Sequence, residues 1–162
     1  HYFMILQWLV GPIDTVTAMA ESIVVERGES EFDDNAIAIV KFKNGAIGDV
    51  SVTTVVAREP CNRLEFYGTE GTIIVDHSCE KPLRYHSVHC GMETDGWVRP
   101  DVEHETYPGY FPLAFRNEVK YFIECILEGK EPEFGGKMGR ESIKVVEAAY
   151  KAVKTGKTQK VI

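Results

Sequence analysis

The side chains best suited to chemistry cluster in one stretch. Four of the five histidines (His77, His86, His89, His104) and two of the four cysteines (Cys79, Cys90) fall between residues 77 and 104. Imidazole and thiolate together are the ligand set of zinc. On a strand, however, alternation puts His77 and Cys79 on one face and points His86 and His89 in opposite directions. None of the spacings is that of a finger or ribbon, so these read as sheet and surface histidines and no metal ligand is assigned. Gly45-Ala46-Ile47-Gly48 and Gly68-Thr69-Glu70-Gly71 lie in hairpin contexts and cannot aim a helix N-terminus at a phosphate. Gly135-Gly136-Lys137-Met138-Gly139-Arg140 does open a helix and carries two basic residues. It follows a helix and a loop instead of a strand, which makes it a helix entry and not a phosphate cradle. No Gly-x-Ser-x-Gly turn supports an activated serine, and no cysteine sits at an electropositive helix entry. The chain is therefore expected to hold no cofactor-binding residues and no metal of its own.

The elements that must position any site follow from periodicity. Tyr2 to Val10 carries apolar residues at helical spacing and is stopped by Gly11-Pro12. From Ile13 the period changes to two, through Ile13–Met19 and Ile23–Val25, with a charged turn at residues 27–31. Asn35–Phe42 and Ile47–Val56 flank Asn44-Gly45, a strong hairpin signal. A second hairpin joins residues 62–67 to Thr72–Asp76 across Gly68–Gly71, glycines that allow positive φ. Strand-like pieces are expected at Leu83–His86 and Val102–Thr106, with a loop tip over residues 91–101. A helix begins near Pro112 with Phe115, Val119, Phe122, Ile123 and Ile126 on one stripe. Another runs from Gly139 to Lys154 with Ile143, Val146, Ala149, Tyr150 and Val153 inward and Gly156 as its cap. Val161-Ile162 reads as a short returning strand, and Cys61 and Cys125 as small buried hydrophobes. Strands segregated from helices indicate an α+β fold: a large, mainly antiparallel open sheet with helices on one face.

The 162 residues suit one domain, and 44% hydrophobic with 27% charged residues is globular, not disordered. Eighteen basic against twenty-five acidic residues give net −7, which argues against nucleic acid and anionic membrane as partners. No apolar run approaches the ~20 residues of a membrane span. Sparse cysteines without a CxxC suit reduced thiols in the cytoplasm. The chain opens on His1 inside an amphipathic pattern, and is expected to be a piece of a longer protein.

Several strings, in this order, carry a resemblance. His1-Tyr2-Phe3-Met4-Ile5-Leu6-Gln7-Trp8-Leu9-Val10-Gly11-Pro12 leads into a first strand. Asp34-Asn35-Ala36 with Phe42-Lys43-Asn44-Gly45-Ala46 follows, and then Leu64-Glu65-Phe66-Tyr67-Gly68-Thr69-Glu70-Gly71-Thr72. Phe115-Arg116-Asn117-Glu118-Val119 and Gly139-Arg140-Glu141-Ser142 with Val146-Glu147-Ala148-Ala149-Tyr150 complete the set. Together they resemble the C-terminal domain of the glucose–fructose oxidoreductase / inositol dehydrogenase (Gfo/Idh/MocA) family over nearly the whole chain. The resemblance implies one substrate-binding and oligomerisation domain over residues 1–162, without the Rossmann domain that precedes it in the family. It implies NAD or NADP for the full-length protein, none bound by this chain, and a sugar, cyclitol or similar polyol as substrate. A homo-oligomer built through the open sheet face is implied as well. His1 matches the family's catalytic histidine, and an imidazole titrating near neutrality is suited to take a hydroxyl proton as hydride leaves. The partner aspartate would lie four residues before His1. Met4 stands where many members carry aspartate, and Glu80-Lys81-Pro82 copies the family's lysine tripeptide in the wrong place.

Other candidates to line a substrate pocket are Trp97, Tyr107 and Tyr110, whose aromatic faces suit sugar rings. Arg63, set among apolar neighbours, serves either a substrate or a salt bridge. Two rival readings stay open: a non-enzymatic module that dimerises through its sheet, suggested by apolar residues on both faces of the 35–56 hairpin, and a zinc-binding module.

Overall fold

The computed structural model describes residues 1–24, 33–57, 61–89, 96–105 and 112–162. Its elements are α1 (Tyr2–Leu9), β1 (Ile13–Glu21), β2 (Asn35–Phe42), β3 (Ile47–Thr53), β4 (Arg63–Gly68), β5 (Gly71–Asp76), β6 (Leu83–Ser87), α2 (Pro112–Glu128), α3 (Gly136–Thr155) and β7 (Gln159–Lys160). The fold is α+β with open antiparallel sheets, and the described residues divide into two compact units, 1–55 with 129–162, and 56–128. Among the described residues no helix is long and apolar enough to cross a membrane.

In the first unit the strands pair antiparallel in the order β3-β2-β1-β7. The Asn44–Gly45 hairpin forms as expected, with Gly45 at φ 95°, a conformation few other residues tolerate. Alternation sends Ala38, Val40 and Phe42 inward. On β1 the register shifts between Ile13 and Thr15, a bulge at Asp14. Residues three apart on a regular strand face opposite ways, so it is the bulge that lets Ile13 and Val16 both point into the core. Val145 and Ala148 of α3 close this core, and Phe3, Leu6 and Val10 of the α1 region pack against it. Both helices thus serve one sheet face. The other face leaves Met19, Ile37, Ile39 and Ile47 exposed.

Three expectations shift here. Helix α3 starts at Gly136 and buries Val145, Ala148 and Ala152 instead of the expected stripe. Ile143 and Tyr150 are exposed. A twenty-residue helix with small residues on one side approaches the sheet most closely along that side, which moves the larger side chains to its margins. The returning strand is Gln159–Lys160, paired with Thr15 and Val16, and not Val161-Ile162.

In the second unit β4, β5 and β6 form a three-stranded antiparallel sheet. Gly68 and Gly71 pair across the turn, and neither is among the glycines with positive φ. What Gly71 provides is room: a Cβ there would lie 2.4 Å from the carbonyl oxygen of His86 on β6. Val102–Glu105 is not a strand. Instead Val98 bridges to Tyr85, exchanging both main-chain hydrogen bonds at 3.0 and 2.8 Å. Helix α2 begins at Pro112, and the Glu105 carboxylate accepts from the Leu113 and Ala114 amides at 2.9 and 3.3 Å, supplying acceptors that helix starts lack. Its expected apolar stripe is exposed from Phe115 to Ile126, and Cys125 is the residue it buries. Cys61 is exposed, because it precedes β4 in an irregular segment and not within a packed strand.

Candidate functional site

His1 is the N-cap of α1, and its carbonyl accepts from Ile5 at 3.0 Å, so the main chain starts the helix. The imidazole makes no capping hydrogen bond and is exposed. It is therefore available for proton transfer without a structural task to surrender. Met4, one turn on, is half-buried, in a helix whose eight residues include no charged side chain. Trp8 donates from Nε1 to Glu133 at 2.8 Å, and its ring meets Phe134 edge-on at 5.1 Å, which ties α1 to the loop before α3.

Arg63 and Trp97 belong to the second unit, and the structure gives each a partner. Arg63 forms an ion pair with Glu65, two residues along β4 on the same face, and the Tyr67 hydroxyl donates to the same carboxylate. That hydrogen bond, with Glu65's charge, raises the Tyr67 hydroxyl above its ordinary pKa. Of the two roles open to Arg63, the salt bridge is the one present. Asp76, opposite Arg63, is held below the usual carboxylate range, chiefly by hydrogen bonds from Ser78, aided by the Arg63 charge. Trp97 carries the Arg84 guanidinium over its ring, 5.0 Å from the centroid. Tyr107 and Tyr110 lie outside the described residues.

The histidine stretch resolves into separate local contacts. His86 Nδ1 meets the Gly96 carbonyl at 3.0 Å, His89 Nε2 meets Glu70 at 3.3 Å, and His104 Nε2 meets the Cys79 carbonyl at 3.1 Å. Cys90 lies outside the described residues, and among those described no group of three His, Cys, Asp or Glu side chains is placed to hold a metal ion. Glu80 and Lys81 are exposed in the turn between β5 and β6, ahead of a buried Pro82. Gly135–Arg140 enters α3 after a loop, and every pairing among the described strands is antiparallel. The strand-turn-helix cradle that seats a dinucleotide is not built by the described residues.

Two side chains have parts in the structure that the sequence did not assign to them. Arg84 was hidden because its significance depends on Trp97, thirteen residues away and brought alongside by the Tyr85–Val98 bridge. Asp34, 5% exposed, is a buried carboxylate that accepts from the Ile23 and Val24 amides and from Asn35 Nδ2. An aspartate just before a strand is a visible signal for such a turn clamp.

The sequence profile of the family described as "Oxidoreductase family, C-terminal alpha/beta domain" matches residues 1–161. The chain is 24% identical over 166 residues to a myo-inositol 2-dehydrogenase of Thermotoga maritima, covering 99% of this chain and 46% of that protein. It is 23% identical over 155 residues to an inositol 2-dehydrogenase of Rhizobium meliloti, covering 94% and 45%. The solved structure of a levoglucosan dehydrogenase in complex with NADH superposes with a TM-score of 0.82 at 21% identity, over 98% of this chain and 47% of that one. The chain thus spans about half the length of the curated relatives it matches.

Proposed function

Because this chain belongs to that oxidoreductase family as its C-terminal alpha/beta domain, we propose that it is the substrate-binding half of an NAD(P)-dependent dehydrogenase of polyols. The observation that carries the proposal is the family match over residues 1–161, which begins at His1, with that histidine exposed at a helix start. In this reading His1 takes the proton of a substrate hydroxyl while the hydride leaves for a cofactor held by the nucleotide-binding half. The inositol and levoglucosan dehydrogenases among its relatives favour a cyclitol or sugar substrate. Trp97, Tyr107 and Tyr110 are aromatic candidates for contact with the ligand. The unpaired thiols of Cys61, Cys79 and Cys125 suit the cytoplasm.

The 162-residue chain by itself is inactive and binds no dinucleotide. Two assays test this: NAD(P)H formation by the full-length protein on a panel of cyclitols and sugars, and calorimetric titration of the isolated chain with NADH. Micromolar NADH binding by the isolated chain would overturn the division of labour.

A second reading, compatible with the first, is favoured by the uncovered sheet face. Met19 lies opposite Ile37 in register, next to Ile39, and they are 73%, 46% and 59% exposed. An apolar sheet face of this kind is suited to pairing with a second copy, so light scattering should report a dimer or larger assembly. A strict monomer, unchanged by Ile39→Glu, would exclude it.

A further inference from the structure

Arg84 is the one arginine whose guanidinium rests on an aromatic ring among the described residues, and there it makes neither an ion pair nor a hydrogen bond. It is only partly exposed. Five N–H donors held on a rigid sheet without protein acceptors are a preference waiting for a ligand's oxygen atoms. Its surroundings are fixed. Arg84 sits in register with Ile74 and, beyond it, Glu65. Trp97 is pinned from both sides: Val98 bridges to Tyr85, and the Gly96 carbonyl meets His86 Nδ1. Gly96 has φ 82°, a backbone shape that suits glycine and turns the chain into this position.

A guanidinium whose charge is held over a ring keeps the edge of its N–H fork for other acceptors. The group that matches this edge with two parallel hydrogen bonds is a carboxylate, and a neutral diol matches it less well. We infer that the Arg84–Trp97 pair is a binding platform for the carboxylate end of a polyhydroxy acid. The inference rests on the proposed function for the polyol part of the ligand, and the platform itself lies wholly within the second unit. Glu65 does not oppose it, since its charge is already engaged by Arg63 and by the Tyr67 hydroxyl. His86 and Tyr67 share this face with Arg84, as do Arg63 and Asp76, which lie opposite each other in register.

The test uses the whole 162-residue chain with its two tryptophans labelled at the indole nitrogen. Trp8 lies in the other unit and serves as an internal control. Sodium gluconate and sodium glucuronate are titrated against sorbitol, myo-inositol and sodium acetate at constant ionic strength. The expected result is a saturable shift of the Trp97 signal with the two sugar acids, at about tenfold lower concentration than with the neutral polyols, while Trp8 stays in place. Arg84→Gln should abolish the shift, and Arg84→Lys, which keeps charge but loses the fork, should weaken it severalfold. A circular dichroism spectrum and urea midpoint that match the parent in each variant confirm that the unit carrying Arg84 is folded. Equal response to sorbitol or myo-inositol overturns the carboxylate preference, equal response to acetate overturns recognition of a polyhydroxy acid, and no response overturns the platform. None of these touches the dehydrogenase reading, which NAD(P)H formation by the full-length protein decides separately.

Discussion

Replacing Asp34 with alanine should be the most damaging single change at the end of the four-stranded sheet. The side chain accepts from the Ile23 amide at 2.9 and 3.0 Å through its two oxygens, from the Val24 amide at 2.7 Å, and from Asn35 Nδ2 at 2.6 Å. The main-chain carbonyl of Asp34, which accepts from Thr54 N at 2.9 Å, survives the substitution, so the loss is confined to the carboxylate. Hydrogen bonds to a charged group contribute about 1.5–3 kcal/mol each, and two stranded amides cost about 1–3 kcal/mol apiece if water cannot reach them. Ile23 and Val24 are 72% and 63% exposed, so water does reach that segment and the low end of the sum applies. Asp34→Ala is therefore expected to cost about 2–4 kcal/mol, and Asp34→Asn, which keeps one acceptor but turns an NH2 toward the other amide, about 1–2 kcal/mol. In a chain of this length the alanine change lowers Tm by about 5–15 °C. Urea unfolding followed by circular dichroism reads the midpoint and the slope together, and the slope should not change. An Asp34→Ala protein within about 0.5 kcal/mol of the parent would refute the clamp, since that is the range of inconsequential surface changes.

Gly71→Ala should cost about 1–3 kcal/mol in the same assay, because its Cβ would press on the His86 carbonyl across the ladder. Gly139→Ala, in a helical turn with nothing near the added methyl, should instead stabilise by about 0.5–1 kcal/mol. Asp76 has a depressed pKa in the folded state, so its contribution is present above the ordinary aspartate pKa and is lost as the pH falls through the folded value. Acid titration of stability should show this loss, and Asp76→Asn should flatten the curve below about pH 4.

The strand alternation of Asn35–Phe42 and the Asn44–Gly45 turn were legible because both signals are local and both survive in the fold. The inward stripe of α3 was not. Ile143, Val146, Ala149, Tyr150 and Val153 have the right spacing, but so do Val145, Ala148 and Ala152, and close approach to the sheet selects the smaller set. The bulge at Asp14 was equally hidden, since one extra residue in a strand leaves no mark on composition. Glycine at 71 was recognisable as special, but sequence suggested backbone shape where the cause is a neighbouring carbonyl. At the site, His1 is proposed from its surroundings in the chain, and of the two roles open to Arg63 the salt bridge is the one present. Arg84 was missed because a stacked pair is made by sheet register, and register is what a single sequence specifies least directly.

The role proposed for His1 is that of proton acceptor in a dehydrogenase whose other half holds the cofactor. Its exposed side chain makes no capping bond, so His1→Ala should leave the fold and its Tm intact. The direct measurement is kcat for polyol oxidation by the full-length protein carrying that substitution, beside its affinity for NADH. The expected result is a fall in kcat of about 10²–10⁴-fold, the usual worth of a general base, with NADH binding unchanged. Turnover within about threefold of the parent would contradict it, because a general base cannot be removed at so small a loss.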